Sequence, residues 1–581
     1  MISKHILNDP KTIVEESIQG LCYSNPHLRW VPEEKVVVCA DVESIAQRQV
    51  TLIAGGGSGH EPGYAGYVGH GMLAGAVCGH VFASPSASQI VAAIERVQSP
   101  HGTLVVVMNY TGDCLNFGLA VERAKARGIK VEMLIIGDDI SVGRSSKVGR
   151  RGMAATVLAV KAAGALACQG ASLSEVRQTA EYVNQHSATL GVALDHCHVP
   201  GGSARQQLPD NEIELGMGIH NEPGCLKSKQ LPAKLLVDKM IGMLIDQDDK
   251  ERSFLHLPQD DLTPVVLMIN NLGGISNIEM NLIVKQTVEA LSKHTHLDIR
   301  RLYTGGFLTS LNMPGVSITL LISRGEIGDR FIKLLDEPAN VAYWPYSSKS
   351  ALLSTDIITP SNNHAKPKEP ETTRDTESEV NKKLESAIRA ATEAVISAEP
   401  EITWCDTVLG DGDCGTTLKA AASAVLRKVP ELPLQSASQT IIKVAEIIED
   451  SVGGTSSAIY CIYLNALGAS LAEYSSASAI SWSKAASHAL IALQKYTVAR
   501  IGDRTLMDVL IPFVETLSKE GDMTLAVEAA RKGCEATRGM SAQMGRSSYL
   551  AEDEVKKANL PDAGAFGLAT LLRGIEYGVT L

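Results

Sequence analysis

One break in the sequence limits what this chain can fold into more than any single motif does. Regularly spaced apolar runs continue to Ile358-Thr359. Then Pro360-Ser361-Asn362-Asn363-His364-Ala365-Lys366-Pro367-Lys368-Glu369-Pro370 opens a polar, charged, Pro-bearing stretch that runs to Lys382. Such a segment holds too little apolar surface to offset the entropy of ordering it, so residues 356–382 read as a flexible linker. A single continuous core is therefore excluded, and 581 residues exceed what one core organises in any case. Two separately built parts are expected, 1–355 and 383–581, the first splitting again near 195–235.

The two parts differ in period. Before the break, residues 35–39, 50–53, 103–108, 131–136, 265–269 and 317–323 are short apolar runs, the pattern of strands buried on both faces. Ala-rich helical stretches such as 154–167 separate them. Largely parallel strands with crossover helices, in two α/β lobes, are expected there. After the break, Leu384, Ile388, Ala391 and Val395 mark one helical face, and 441–448 and 486–494 continue the helical period while strand-like runs are scarce. The second part reads as all-α.

Composition bears mainly on partners. A formal charge of −12 argues against nucleic acid or an anionic membrane, which favour a basic surface, and for a small-molecule ligand. No apolar run approaches the roughly 18 to 20 residues that span a bilayer, and Met1-Ile2-Ser3-Lys4-His5 lacks a signal-peptide core. The expected address is cytoplasmic. Eleven Cys with no C-x-x-C pair read as free thiols, mostly in the core, rather than as a disulfide framework or zinc site. Asp195-His196-Cys197-His198 reads as no metal cluster, because adjacent residues of an extended chain point to opposite faces.

A-G-G-G-S-G-H-E-P-G-Y-A-G, residues 54–66, follows the run Val50-Thr51-Leu52-Ile53. It looks like a phosphate-cradling loop but fails each positional test. A dinucleotide fingerprint from Gly55 needs glycine where His60 stands, and one from Gly57 needs it where Pro62 stands. No Gly-Lys-Ser/Thr follows, and a nucleophile elbow at Ser58 again needs glycine at His60. What remains is a strand end whose missing Cβ atoms let a ligand approach, with His60 presented there. Asp113, in Asn109-Tyr110-Thr111-Gly112-Asp113 after another strand, reads either as an acid/base partner or as a helix cap. His220, bracketed in Gly216-Met217-Gly218-Ile219-His220-Asn221-Glu222-Pro223-Gly224, reads either as a nucleophile toward a carbonyl or as a surface-loop histidine.

Asp406, Asp411 and Asp413 carry the strongest signal. Three carboxylates within eight residues repel one another unless a cation holds them. An EF-hand numbered from Asp411 would need Gly at Thr416 and Glu at Ala422, so that loop is excluded. An all-carboxylate set without His or Cys suits Mg²⁺. Asp450-Ser451-Val452-Gly453-Gly454-Thr455-Ser456-Ser457 reads as a helix N-terminus able to take phosphate. Gly502-Asp503-Arg504-Thr505 and Gly545-Arg546-Ser547-Ser548-Tyr549 add basic groups suited to phosphate contacts.

Taken in order, G-G-G-S-G-H-E-P, F-A-S-P-S, N-Y-T-G-D, G-D-D-I-S-V-G-R, G-R-R-G, G-I-H-N-E-P-G, N-N-L-G-G, G-D-G-D-C-G-T-T, G-D-R-T and G-R-S-S-Y-L cover nearly the whole chain. The set resembles the single-chain, ATP-dependent dihydroxyacetone (glycerone) kinases, in their eukaryotic, fungal-like form. The resemblance implies that His220 binds the substrate carbonyl as a hemiaminal and that His60 with Asp113 is the acid/base pair. It implies that Gly57, Ser58, Gly59, His60, Met108 and Asp113 line the substrate site, Met108 standing where many relatives carry Lys; Tyr64 replaces a usual His. By the same resemblance Asp406, Asp411 and Asp413 hold Mg²⁺. Cys414, Gly415, Thr416, Thr417, Thr455, Ser456, Thr497, Thr505, Leu506, Arg546, Asp562, Ala563 and Gly564 would contact ATP. The implied fold is two α/β lobes followed by an antiparallel helical barrel, and the implied assembly a homodimer with docking between chains. Two alternatives stand beside this: FAD cleavage to cyclic FMN by the nucleotide domain, and a ketose-sensing regulator without catalysis. A regulator would lack the histidine or the aspartate set, and this chain has both.

Overall fold

The computed structural model describes residues 5–202, 207–258, 262–294, 296–345, 379–474, 478–542 and 552–580. They fall in two compact units, Met1–Ile358 and Thr359–Leu581. Most of the expected linker lies outside the described residues. Its last four residues, 379–382, are instead the start of a helix: polarity does not prevent helix formation where good helix formers lead into turns that pack through Ala387 and Ala391.

The first unit holds two six-stranded sheets. Strands β1 (Leu28–Val31), β2 (Val36–Cys39), β3 (Thr51–Ser58), β4 (Gly75–Val81), β5 (Thr103–Met108) and β6 (Val131–Ile136) pair in the order β1-β2-β4-β3-β5-β6. Its central strands β4, β3, β5 and β6 run parallel. Strands β7 (Ser187–Ala193), β8 (Glu212–Leu215), β9 (Leu226–Lys229), β10 (Thr263–Asn271), β11 (Leu297–Gly305) and β12 (Gly315–Ile322) pair as β11-β10-β12-β7-β8-β9. Here only β10 and β11 are parallel; every other pair is antiparallel. The expectation of largely parallel strands therefore fails for the second sheet. A continuous apolar run reports burial on both faces, as for the wholly buried β12, and not strand direction.

Nine helices of this unit are α1 (Ile13–Ser24), α2 (Val42–Arg48), α3 (Ala87–Val97), α4 (Thr111–Ala126), α5 (Ala155–Cys168), α6 (Leu173–His186), α7 (Ala233–Ile245), α8 (Asn277–Ser292) and α9 (Gly325–Asp336). Helix α5 decides the architecture. It shares one core with Leu52, Ala54, Leu104 and Val106 of the first sheet and Val266, Met268 and Leu321 of the second, and its residues from Ala155 to Ala167 are all buried. Small side chains let both sheets approach it, and no polar face is left. Lys161 is accommodated because its ammonium donates to Leu334 O of α9 at 2.7 Å. The two lobes are thus two sheets around a common helix, and the transition comes earlier than 195–235, since β7 already begins the second sheet. Val105 and Val107 face the other way, onto α3 and α4, the two-residue alternation of a strand. The second sheet's outer face packs on α7 and α8.

The second unit is helical: α10 (Glu379–Leu409), α11 (Cys414–Lys428), α12 (Ala437–Ser451), α13 (Gly454–Leu471), α14 (Ala479–Leu493), α15 (Met507–Glu520), α16 (Met523–Ala536), α17 (Glu552–Ala558) and α18 (Ala563–Thr580). From α10 to α16 each packs on the next, α16 packs on α18, and α18 returns to α10. All eleven cysteines are free, but only Cys39, Cys197, Cys405 and Cys534 are buried, so most are not core thiols. Among the described residues no helix is long and apolar enough to cross a membrane.

Candidate active site

The glycine-rich end of β3 packs against protein. A Cβ on Gly57 would stand 2.7 Å from Ala83 N, and one on Gly59, where φ is +100, 2.8 Å from the Phe82 ring. Gly57 and Gly59 therefore admit the 82–83 segment, and Gly57 also bounds a cavity. The Ser58 hydroxyl is spent on Gly79 O at 2.8 Å. Phe82 in turn stacks on the His60 ring, centroids 5.0 Å apart and 14° between planes.

His60 and His220, 160 residues apart, meet through their Nε2 atoms at 3.0 Å. His60 Nδ1 lies 2.8 Å from Thr309 O, and His220 Nδ1 2.8 Å from Glu222 Oε1. Both acceptors can only accept, so both Nδ1 atoms donate. The His220 ring also meets the rings of Phe82 and Tyr110 edge-on, at 5.0 and 4.8 Å. Its loop is shaped for this: Asn221 has φ +62, and a Cβ on Gly218 would stand 2.1 Å from Glu222 Oε2. Burial, then the neighbouring His220, lowers His60 to about 3. Burial works to raise the Glu222 carboxyl, but hydrogen bonds and charge from His220 outweigh it and hold it at about 2.

Asp113 is 6% exposed in the first turn of α4. Among the described residues no hydrogen bond joins it to the His60 ring, whose nitrogens go to Thr309 and His220. The N-cap of α4 is Tyr110, so Asp113 is no cap either. Its Oδ1 has no hydrogen-bond partner among the described residues, and burial raises its carboxyl above the usual range. Met108, expected at the substrate, is 2% exposed and packs in the core with Gly152 against its side chain. Tyr64 is buried rather than at a rim. It helps wall a cavity of about 650 Å³, bounded also by Gly57, Ser58, Glu61 and α1, whose lining excludes both His60 and His220.

In the helical unit, Asp406 lies in the last turn of α10 and Asp411 and Asp413 follow in the tight turn before α11. One ligand oxygen from each lies within 4.8 Å of the others, and Asp411 and Asp413 are exposed. Gly412 has φ +81, and a Cβ on Gly410 would stand 2.1 Å from Asp406 Oδ1, so both glycines are needed to fold the turn back. Asp406 Oδ2 accepts from Cys414 N at 2.9 Å, tying the carboxylates to the first turn of α11, where Gly415, Thr416 and Thr417 follow. An all-oxygen, open donor set of this kind fits Mg²⁺. Burial and then the charges of Asp406, Asp562, Asp413 and Asp411 push the Cys414 thiol up to about 12, placing Asp562 beside the same turn. A Cβ on Gly564 would lie 3.3 Å from Asp562 Oδ1 and 3.7 Å from Leu506 Cβ. The segments bearing Thr505-Leu506 and Asp562-Ala563-Gly564 therefore meet, although Leu506 and Ala563 are themselves core residues at 8% exposure.

Arg504 corrects another reading. It is 2% exposed and donates to Thr537 O at 3.3 Å and Leu560 O at 3.2 Å. It is a strut between loops and not a surface group offered to phosphate. Thr455 is exposed in the first turn of α13, and Thr497 accepts from Ala499 N in the loop after α14. The Ser456 side chain and Arg546 lie outside the described residues.

Residues 19–343 match the Dak1 domain and residues 408–577 the DAK2 domain. Dihydroxyacetone kinase 2 of Saccharomyces cerevisiae is 42% identical, over 97% of each chain. The chain belongs to the dihydroxyacetone kinase family. A Homo sapiens relative named triokinase/FMN cyclase is 36% identical over 99% of each chain. The crystal structure of the dihydroxyacetone kinase from C. freundii in complex with AMP-PNP and Mg²⁺ superposes with a TM-score of 0.67, at 30% identity and 99% coverage of both chains.

For this dihydroxyacetone kinase family member, the motifs marked the strand end and the two histidines but missed four residues around them. Glu222, two residues after His220, was legible in principle as a turn carboxylate. Phe82 and Tyr110 sat inside quoted motifs as unremarkable aromatics. Thr309, 249 residues from His60, acts through its backbone carbonyl, which no side-chain pattern marks.

Proposed function

We propose that this chain transfers the γ-phosphoryl group of ATP, with Mg²⁺, to dihydroxyacetone, and also to D-glyceraldehyde, giving the triose phosphate. The observation that carries this is the His60–His220 contact with both Nδ1 atoms held by acceptors. It leaves His220 Nε2 as the reactive nitrogen, suited to a carbonyl, with His60 beside it to move a proton. Asp113 Oδ1, buried without a partner, suits a substrate hydroxyl, since a donor there would satisfy it. The aromatic walls suit a short carbonyl compound.

Asp406, Asp411 and Asp413 would hold Mg²⁺, which when bound neutralises charge on the phosphoryl oxygens. The first turn of α11 sets a helix N-terminus beside them, and the segments at 505–506 and 562–564 suit the nucleotide's flank, with Thr455, Ser456, Thr497 and Arg546 as further contacts. We read the closed sequence of helix packing as an antiparallel barrel, the chain as cytoplasmic, and the assembly as a homodimer in which the helical unit of one chain serves its partner. FAD cleavage to cyclic FMN would be a secondary activity, since it uses only the nucleotide part. The test is a coupled assay with ATP, Mg²⁺ and dihydroxyacetone on wild type, His220→Ala and Asp411→Ala. Undiminished turnover in either variant would sink the mechanism.

A further inference from the structure

We infer that Glu222 is a positioning residue for carbonyl capture: it locks the tautomer of His220 and supplies the counter-charge for the imidazolium that capture leaves behind. The inference rests on the kinase reading above. Glu222 holds His220 twice, accepting from its backbone N–H at 2.9 Å and from ring Nδ1 at 2.8 Å. Arg151 is the other nearby cation: its charge also interacts with Glu222, but its hydrogen bonds go to Asp139 at 2.7 Å, Ser141 Oγ at 2.7 Å and Gly216 O at 2.5 Å, so it bonds Glu222 with none of them. Among the described residues, the one ion pair of Glu222 is with His220.

The proton count follows from the same geometry. With both Nδ1 atoms donating, the two Nε2 atoms at 3.0 Å would face each other as bare lone pairs unless one proton lies between them. A carboxylate faces the His220 ring and only a neutral carbonyl faces the His60 ring, so the charge is best placed on His220, opposite Glu222. As a carbonyl carbon approaches, this proton passes from His220 Nε2 to His60 Nε2. The freed lone pair forms the N–C bond, the C=O π pair moves onto oxygen, and that oxygen takes the proton back from His60. His60 ends neutral, its Nε2 ready to accept a proton from a substrate hydroxyl. The single positive charge ends on the N-substituted imidazolium, still opposite Glu222. Net charge is unchanged, so the site completes the step without taking a proton from solvent.

Glu222→Gln keeps the volume and an acceptor oxygen but removes the charge. With [2-¹³C]dihydroxyacetone, wild type is expected to show a tetrahedral-carbon resonance in place of part of the ketone signal. In Glu222→Gln that resonance should fall, and KM for dihydroxyacetone should rise, by roughly ten- to a hundred-fold, the worth of a hydrogen bond to a charged group, with KM for ATP unchanged. Glu222→Asp, which restores the charge, should recover part of both. A Glu222→Gln protein with the wild-type resonance and KM overturns the inference. So does a Glu222→Asp protein as impaired as Glu222→Gln; if Glu222→Gln does not fold, loss of the resonance in Glu222→Asp overturns it. The kinase reading fails separately: wild type that forms the adduct without consuming ATP sinks phosphoryl transfer and leaves Glu222 to be judged on the adduct.

Discussion

The two units handle charge in opposite ways. The α/β unit gathers His60, His220, Glu222 and Thr309 from distant parts of the chain, buries His60, leaves the other three partly exposed, and holds both imidazole rings by hydrogen bonds within the unit. The helical unit takes Asp406, Asp411 and Asp413 from one eight-residue run and leaves two of them open to solvent. A preorganised site suits bond formation to a small uncharged carbonyl, where exact tautomers matter. An open acidic cluster suits a metal bound to a nucleotide, whose charge arrives with the ligand. The difference teaches that the first site is finished by folding and the second by binding.

The largest effect tests the first half of that comparison. His220→Ala should lower turnover of dihydroxyacetone by about 10³-fold or more, on the scale of losing a nucleophile, while leaving nucleotide affinity intact by equilibrium binding. Wild-type turnover would remove His220 from the chemistry. Asp411→Ala tests the second half. It should cut turnover by roughly 10²–10⁴-fold, yet leave the melting temperature of the ligand-free protein equal or slightly higher, because one like charge has gone. Saturating Mg-ATP should raise the melting of wild type by an amount equivalent to about 2.7 kcal/mol at a hundred times Kd, and that of the variant far less; equal shifts would mean the carboxylates do not hold the metal.

Arg504→Ala separates strut from ligand. Two buried carbonyls lose their donor, so the helical unit should lose about 2–4 kcal/mol in denaturant unfolding, and added phosphate should not protect the wild type through this residue. A variant of unchanged stability with weakened nucleotide binding would return Arg504 to the phosphate-contact role. The smallest effect is a pH dependence. The folded value for His60, about 3, lies below its ordinary 6.5. The unfolded chain therefore takes up the proton first, and acidification below 6.5 favours unfolding until about 3. The stability advantage of wild type over His60→Gln should shrink as pH falls across that window; a difference that stays constant there would mean His60 is not held neutral.

How much of this was legible differs by region, for a physical reason. The acidic run, its exclusion as an EF-hand and the helical period of the second part depend on neighbours in sequence, so spacing alone carried them. In the α/β unit the apolar runs located strands well, as with β5 and β6, but a strand buried on both faces hides its direction, which is why the antiparallel second sheet was misread. Helix α5 was recognisable as helix from its alanines; that both sheets share it depends on tertiary packing. Met108 and Arg504 went astray together: one stood where a polar contact was expected and is core, the other looked like a surface cation and is buried. Side-chain type fixes what a residue is able to do, whereas burial decides what it does.

The sequence by itself therefore determined the two-part architecture, the strand-end histidine, the second histidine and the carboxylate trio, because each rests on local composition or spacing. Only the tertiary structure decided that glycines of the 54–66 loop make room for Phe82, and that the His60 ring meets the His220 ring. It alone identified Thr309 and Glu222 as the acceptors that set both tautomers. A hydrogen bond depends on two groups being within about 3 Å with the right orientation, and for groups up to 249 residues apart only the folded chain brings that about.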